Sequence, residues 1–187
     1  MDHEEPRRWP EPPAPPQKKA LTATDAGCVI MIVCVLAAVL YPVFAVSHTS
    51  SHQSSCLSNV KQVTLALMMY AQDYDDRMPR WKWMDSTYSY AKNWEIYACQ
   101  VVKRDDESGY GYAFERSLVG RHTTEVKKPA EQPLVFESSL LYKNATAQIR
   151  TGLMRPGRHS GSDIVSFLDG HARPFDTGIL STQWPPR

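Results

Sequence analysis

Four cysteines offer thiol chemistry, and their surroundings divide them into two pairs. Cys28 and Cys34 lie in an apolar segment, whereas Cys56 and Cys99 lie in polar sequence. The second pair can form a disulfide or remain as two separate buried thiols, and a metal site is less favoured because no CxxC spacing accompanies them. A bridge would close a loop of about 40 residues and would typically stabilise the fold by about 2–4 kcal/mol.

His159 and Asp169 are the other candidates for site chemistry. Together with Asp163 and His171 they could form a metal or acid–base site, since two imidazoles and two carboxylates suffice for zinc. No HExxH-like spacing or nucleophile elbow accompanies them, and a structural hydrogen bond is the alternative for His159. Asp169 and Gly170 are typical of a two-residue hairpin turn, where both central residues need positive φ. We therefore predict no catalytic residue, no bound metal and no cofactor.

A helix and several short strands must position these residues. Between Ser54 and Tyr74 apolar side chains recur at steps of three and four, which predicts a helix with one face on a partner surface. That stripe consists of Cys56, Val60, Val63, Leu67, Tyr70 and Tyr74. Strands are predicted over residues 134–137 and 164–168, and the second returns after its turn over residues 171–175. The body is therefore predicted to be α+β, with a small antiparallel sheet.

Residues 26–46 carry no charged side chain and are almost entirely apolar. At about 1.5 Å per residue such a helix reaches across the roughly 30 Å core of a bilayer, which predicts a membrane-spanning helix. Residues 47–59 contain no lysine or arginine, whereas four precede the apolar run: Arg7, Arg8, Lys18 and Lys19. The positive-inside rule then puts the N-terminus in the cytoplasm and the body outside, in an oxidising compartment that favours a disulfide between Cys56 and Cys99.

The predicted organisation has five parts. Residues 1–20 are rich in proline and charge, and we expect them to be a disordered cytoplasmic leader. The membrane-spanning helix, its continuation, the extracytoplasmic α+β domain and a loose tail follow over residues 21–46, 47–78, 79–177 and 178–187. The formal net charge is only +1 and no polybasic run is present, so we expect no nucleic-acid partner.

The sequence KKALTATD before the apolar run resembles the processing site of type IV prepilins and type II secretion pseudopilins. Ala20 stands at the glycine of that family, Leu21 at its methylated phenylalanine and Asp25 at its glutamate. Pro42 stands where many pilin helices kink, since proline removes a helix hydrogen bond. The resemblance implies cleavage by a prepilin peptidase between Ala20 and Leu21. It also implies that Asp25 contacts the new amino group of a neighbouring subunit.

A second resemblance covers roughly residues 20–175. The segment SCLSNVKQVTLALMMYAQDYDDRMP is similar to the helix continuation of a bacterial group of pseudopilin-like proteins. That group also carries a histidine, nine residues and then Asp-Gly, which His159, Asp169 and Gly170 supply here. The resemblance implies a pilin-like fold, in which the C-terminal half of a long N-terminal helix packs on the sheet.

Two functions are therefore expected as alternatives. The first is a pseudopilin or minor pilin-like envelope subunit, without enzymatic activity, in a type II secretion or type IV pilus-like system. It would reside in the inner membrane, and its partners would be a prepilin peptidase, other pilin-like subunits and the lipid bilayer. The second is an uncleaved single-pass membrane anchor that displays a small extracytoplasmic ligand-binding or metal-dependent domain.

Overall fold

The computed structural model describes the backbone of residues 23–178 and the side chains of residues 27–41 and 52–178. The chain divides into two compact units, Met1–Val43 and Phe44–Arg187. The predicted leader, the processing pair Ala20 and Leu21, and the tail beyond residue 178 lie outside the described residues. Asp25 and Pro42 belong to a helix, but their side chains lie outside the described ones.

Helix α1, Ala23–Asp73, begins in the first unit, where the described side chains are exposed and mostly apolar. Within the described part of the chain, no helix is both long enough and apolar enough to cross a membrane. The prediction of a membrane-spanning helix over residues 21–46 is therefore wrong. A span needs about 20 consecutive apolar residues, and no helix in the described part of the chain provides such a run.

In the second unit α1 is followed by short helices and five strands. Three further α-helices are described, namely α2 (Trp83–Ala91), α3 (Gln100–Asp105) and α4 (Ile149–Gly152). The strands are β1 (Tyr112–Glu115), β2 (Pro133–Glu137), β3 (Thr146–Ala147), β4 (Ser162–Phe167) and β5 (Ala172–Asp176). Single 3-10 turns occupy Glu95–Tyr97, Arg116–Leu118, Thr123–Glu125 and Pro129–Glu131.

The five strands form one mixed sheet in the order β3-β1-β2-β4-β5. Three pairs are antiparallel, but β3 runs parallel to β1, with Phe114 opposite Thr146. The α+β class is confirmed, whereas the prediction of an antiparallel sheet is wrong. The reason is the connection after β2: it reverses the chain and carries it past β1, so that β3 joins the far edge in the direction of β1.

The strands β1 and β2 of the sheet are buried on both faces. On one face the α1 stripe packs against Tyr112, Phe114, Leu134 and Ile164. On the other face lies a second cluster built from Ala113, Phe136, Ala145, Ala147, Ile149, Leu153, Val165, Phe167 and Phe175. Both faces of β1 and β2 are therefore shielded from water, which explains why every residue of these two strands is buried.

The inward stripe of α1 follows the predicted spacing as far as Leu67. Cys56, Val60, Val63 and Leu67 are each 0% exposed, but the next inward residue is Ala71, and Tyr74 is 54% exposed. A step of four from Leu67 keeps a side chain on the same face at 3.6 residues per turn. Tyr74 falls beyond Asp73, where α1 ends, and therefore leaves the face.

The hairpin between β4 and β5 differs from the predicted two-residue turn. The Phe167 N–H donates to the His171 carbonyl at 2.9 Å, and the Gly170 N–H donates to the Phe167 carbonyl at 3.0 Å. The loop therefore has three residues, and Gly170 (φ 94°) has positive φ whereas Asp169 does not. Glycine is needed at this one position, where a Cβ would also lie 3.3 Å from the Met68 sulfur.

Candidate functional site

Four buried side chains from different parts of the second unit converge on one point. They are Cys56 on α1, Cys99 just before α3, Glu137 at the end of β2 and His159 in the loop before β4. One donor atom from each lies within 4.8 Å of the others, and no residue of the four is more than 4% exposed. We call these four residues the Cys–Glu–His centre.

The two cysteines reach the centre by different routes. Cys56 is the first residue of the inward stripe of α1, so the helix itself directs its side chain toward the sheet. Cys99 has an extended backbone and donates its N–H to the Tyr110 carbonyl at 2.9 Å, and its own carbonyl accepts from the Lys103 N–H at 3.1 Å. The segment before α3 is thereby fixed against the chain that leads into β1.

The structure brings the sulfur atoms of Cys56 and Cys99 to 2.8 Å from each other, and both thiols are free. The disulfide expected from the sequence remains a prediction. Contact with Cys99 lowers the pKa of Cys56, although burial opposes this shift, and the same contact together with burial raises the pKa of Cys99. Of the two thiols, Cys56 is thus the one that ionises first.

Glu137 supplies a fully buried carboxylate to the centre. Its Oε2 atom accepts the Ile164 N–H at 2.8 Å, and its Oε1 atom lies 2.9 Å from His159 Nε2. The guanidinium of Arg158, whose side chain is 5% exposed, is 3.8 Å from the same Oε1 atom. These partners compensate a carboxylate that would otherwise be strongly destabilised by burial.

His159 donates from Nε2 to Glu137, and the same nitrogen lies 3.8 Å from the Cys99 sulfur. Burial lowers the pKa of His159, but contacts with Cys99 and with the Glu137 carboxylate outweigh it and raise the pKa to about 9. As long as Cys56 and Cys99 are not oxidised to a disulfide, the His159 imidazole is therefore a cation at neutral pH and pairs with the buried Glu137 carboxylate.

Asp163 holds the loop that carries His159. Its carboxylate accepts the Met154 N–H at 2.9 Å and the Arg158 N–H at 2.8 Å. The His159 N–H also donates to the Ser162 carbonyl at 2.8 Å, which closes a tight turn. Burial raises the pKa of Asp163. Asp163 therefore positions the His159 loop from outside the centre.

The other residues grouped with His159 in the sequence lie elsewhere. Asp169 and His171 pair with each other at the exposed end of the β4–β5 hairpin, and the His171 ring stacks on Phe167 at 4.2 Å. The structure therefore does not bring His159, Asp169 and His171 together. The histidine and the Asp-Gly of the family-like motif serve a buried centre and a surface turn, respectively.

Sequence reasoning missed Glu137 and Arg158. Glu137 ends the run PLVFE, in which every residue is buried, and a carboxylate in such a strand is a signal of a buried partner. Arg158 donates to the carbonyls of Gly111 and Ser138 at 3.1 and 2.8 Å. Nothing in the residues around Arg158 indicates that its side chain is buried, since they have the composition of an exposed loop.

Tyr112 on β1 adds a polar atom beside the centre. Its hydroxyl is fully buried, has no oxygen or nitrogen partner within the described residues, and interacts with the Cys56 sulfur. Burial raises its pKa well above the usual value, and Cys56, Cys99 and Glu137 are the neighbouring groups whose negative charge adds to the shift. The phenol therefore stays protonated, as a hydrogen-bond donor directed at the Cys56 sulfur.

Chemically, the centre combines two thiols, one imidazole and one carboxylate away from solvent. Such a set can bind a thiophilic cation, can be oxidised to a disulfide, or can lock four segments together through hydrogen bonds.

In comparisons with known proteins, no family model, no curated protein and no solved structure matches this chain.

Proposed function

We propose that this chain is a pilin-like envelope subunit with a structural rather than a catalytic role. The observation that carries the proposal is the surface of α1 in the first unit. Five consecutive side chains there are each more than half exposed: Val29 (55%), Ile30 (63%), Met31 (65%), Ile32 (58%) and Val33 (57%). All five are apolar.

Consecutive helix residues point in directions about 100° apart, so five of them cover the whole circumference. A helix that is apolar all round requires a surrounding apolar partner, because so large an exposed patch is not maintained in water. Neighbouring helices of the same kind supply such a partner in a pilin-like bundle. Cys28 and Cys34 lie on the same exposed segment and would face those neighbours.

Within the second unit, the same helix has a different surface. Its inward stripe, which includes Val60 and Leu67, is fully buried against the sheet. The outward Leu65 is 59% exposed on the same stretch. The part of α1 in the first unit thus provides a surface for assembly, and the part in the second unit supports the folded body. A fibre subunit requires both.

The proposed partners follow from the N-terminal sequence. A prepilin peptidase would cut between Ala20 and Leu21, and Asp25 would pair with the Leu21 amino group of a neighbouring subunit. A carboxylate inside an apolar bundle is stable only with such a partner. The assembly would belong to a type II secretion or type IV pilus-like system of the cell envelope, with the body extracytoplasmic and the apolar segment against neighbouring helices.

The processing step is tested by the mature N-terminus. Intact-mass and N-terminal analysis of the chain purified from its own cells should give Leu21, with a methylated amino group. Ala20→Arg should abolish the cut, whereas Ala14→Arg, a matched change inside the leader, should leave it unchanged. Recovery of the native chain with Met1 or the residues after it still attached would reject processing.

A second candidate function is favoured by the Cys–Glu–His centre. In this alternative the chain is uncleaved and displays a ligand-binding or metal-dependent body. Such a body would need a preorganised set of donor atoms, and the Cys–Glu–His centre would supply it. This alternative is distinguished from the first by a retained leader, and by monomeric behaviour of the chain in the presence of its natural partners.

A further inference from the structure

We propose that the Cys–Glu–His centre, when both thiols are reduced, binds one Zn²⁺ ion as a structural site. The inference is independent of the pilin-like function, since it rests on the interior of the second unit alone. It also departs from the sequence-based expectation that no metal is bound, which was drawn from the absence of CxxC and HExxH spacing.

The donor set fits zinc in chemistry and in reach. Thiolate, imidazole and carboxylate are the ligands that Zn²⁺ takes, four at a time, at about 2.0–2.3 Å. The Cys99 sulfur and His159 Nε2 are 3.8 Å apart, close to the separation of two ligands in a tetrahedron. The two sulfurs, at 2.8 Å, would have to separate by about 1 Å to share an ion. Imidazole and carboxylate beside the sulfurs favour Zn²⁺ over Cu⁺.

When both thiols are ionised and His159 is neutral, one dication balances the charges around the centre. Two thiolates and the Glu137 carboxylate carry three negative charges, and the buried Arg158 guanidinium, 3.8 Å from Glu137, carries one positive charge. A neutral His159 and one Zn²⁺ then make the buried group neutral overall. A neutral cluster avoids the large penalty that an unbalanced charge pays in a low-dielectric interior.

The buried Tyr112 hydroxyl beside Cys56 is a separate observation that is compatible with the same state. It is fully buried, and Cys56 is among its neighbours at the centre. A zinc-bound thiolate is a stronger hydrogen-bond acceptor than a neutral thiol, so metal binding would strengthen the contact of this donor with Cys56. Donors of this kind commonly orient and tune the ligands of zinc sites.

A disulfide is the competing state of the same two sulfurs, and the two states exclude each other. A bridge requires only Cys56 and Cys99, and it gives no reason for Glu137 and His159 to converge on the sulfurs. A metal centre uses all four groups. It would join α1, the segment before α3, the end of β2 and the His159 loop, so that binding would stabilise the fold.

The test uses the full chain in mild detergent, with Cys28→Ser and Cys34→Ser introduced to remove the exposed thiols. The reduced, chelator-stripped protein is titrated with Co²⁺ and then with Zn²⁺. We expect one Co²⁺ per chain, with a thiolate-to-metal charge-transfer band and the visible bands of a tetrahedral ion. One equivalent of Zn²⁺ should remove these bands, and elemental analysis should then find one zinc per chain.

Variants assign the ligands. Cys99→Ser and His159→Ala should each weaken Zn²⁺ binding by at least about 100-fold, whereas His159→Cys should retain the ion with an altered Co²⁺ spectrum. His171→Ala, on the exposed hairpin, is the matched control and should change nothing. If a variant fails to fold by circular dichroism, the metal count of the unsubstituted centre decides. Binding without thiolate bands, less than one ion per chain, or a Cys56–Cys99 disulfide that withstands reductant in the folded protein would each overturn the proposal.

Discussion

Glu137 links three segments of the second unit through one buried carboxylate. One oxygen accepts the Ile164 N–H of β4, and the other faces His159 and Arg158 of the preceding loop. If the carboxylate were removed, His159 and the Ile164 N–H would lose this acceptor, and the Arg158 guanidinium would lose its buried counter-ion. An uncompensated donor in the interior destabilises the fold more than the intact pair stabilises it.

We therefore expect Glu137→Gln to reduce the free energy of unfolding of the metal-free reduced chain by about 3 kcal/mol. The matched control is Glu131→Gln, which removes an exposed ion pair with Lys128 and should change stability by less than about 0.5 kcal/mol. Urea unfolding followed by tryptophan fluorescence measures both. Equal midpoints for the two variants would show that the buried carboxylate has no special role.

The sequence marks Cys56 and Cys99 as a pair and His159 as a separate candidate, because cysteine and histidine carry reactive atoms, but it does not indicate that the three share one centre. It does not identify Glu137, because the local sequence pattern is that of the polar end of a short strand. Glu137 is important because the end of β2 lies beside the His159 loop, and this contact joins residues that are far apart in the chain. The grouping of His159 with Asp169 was wrong for the same reason, because nine intervening residues of strand and turn separate the two groups.

At the scale of elements, α1 changes surface along its length. In the second unit its inward residues are fully buried and its outward residues are solvated, as for Leu67 (0% exposed) and Leu65 (59% exposed). Burial of a leucine removes apolar area from water and fills space in a close-packed core. The two leucines therefore allow a comparison of the same side chain on opposite faces of one helix.

Leu67→Ala is expected to destabilise the second unit by about 2–5 kcal/mol, since it leaves a cavity between α1 and the sheet. Leu65→Ala should have an effect within about 0.5 kcal/mol, because its side chain already contacts water. Urea midpoints of both variants, at unchanged m-value, check this. A cost for Leu65→Ala as large as that for Leu67→Ala would mean that the outward face is covered in the free chain.

The elements that the sequence predicted well have strong local patterns. Helical spacing identified the inward stripe as far as Leu67, and apolar runs beside Asp-Gly identified β4 and β5 to within two residues at each end. The two-residue β3 has no such pattern, and its parallel pairing with β1 depends on the path of the chain after β2. The loop at Gly170 has three residues rather than two, and its length likewise depends on how the ends of β4 and β5 pair.

At the scale of the whole molecule, the proposed function depends on what covers the apolar surface of α1 in the first unit. Composition predicted a membrane-spanning helix, and the described part of the chain contains no helix that meets this requirement. The exposed apolar circumference at residues 29–33 is nevertheless an observation that needs a partner. Pilin-like packing of α1 against neighbouring copies or relatives is the partner that we propose.

The most direct test is cross-linking through the natural cysteines of that segment. In cells that produce the chain with its own partners, a thiol-specific cross-linker should join Cys28 and Cys34 to neighbouring subunits and give a ladder of covalent species. Cys28→Ser with Cys34→Ser should abolish the ladder, whereas the buried Cys56 and Cys99 should not contribute. Asp25→Ala should reduce it by at least about tenfold, since a charge-assisted hydrogen bond contributes about 1.5–3 kcal/mol, and Asp25→Glu should largely retain it. A chain that stays monomeric under these conditions, with or without Asp25, would contradict the proposed assembly.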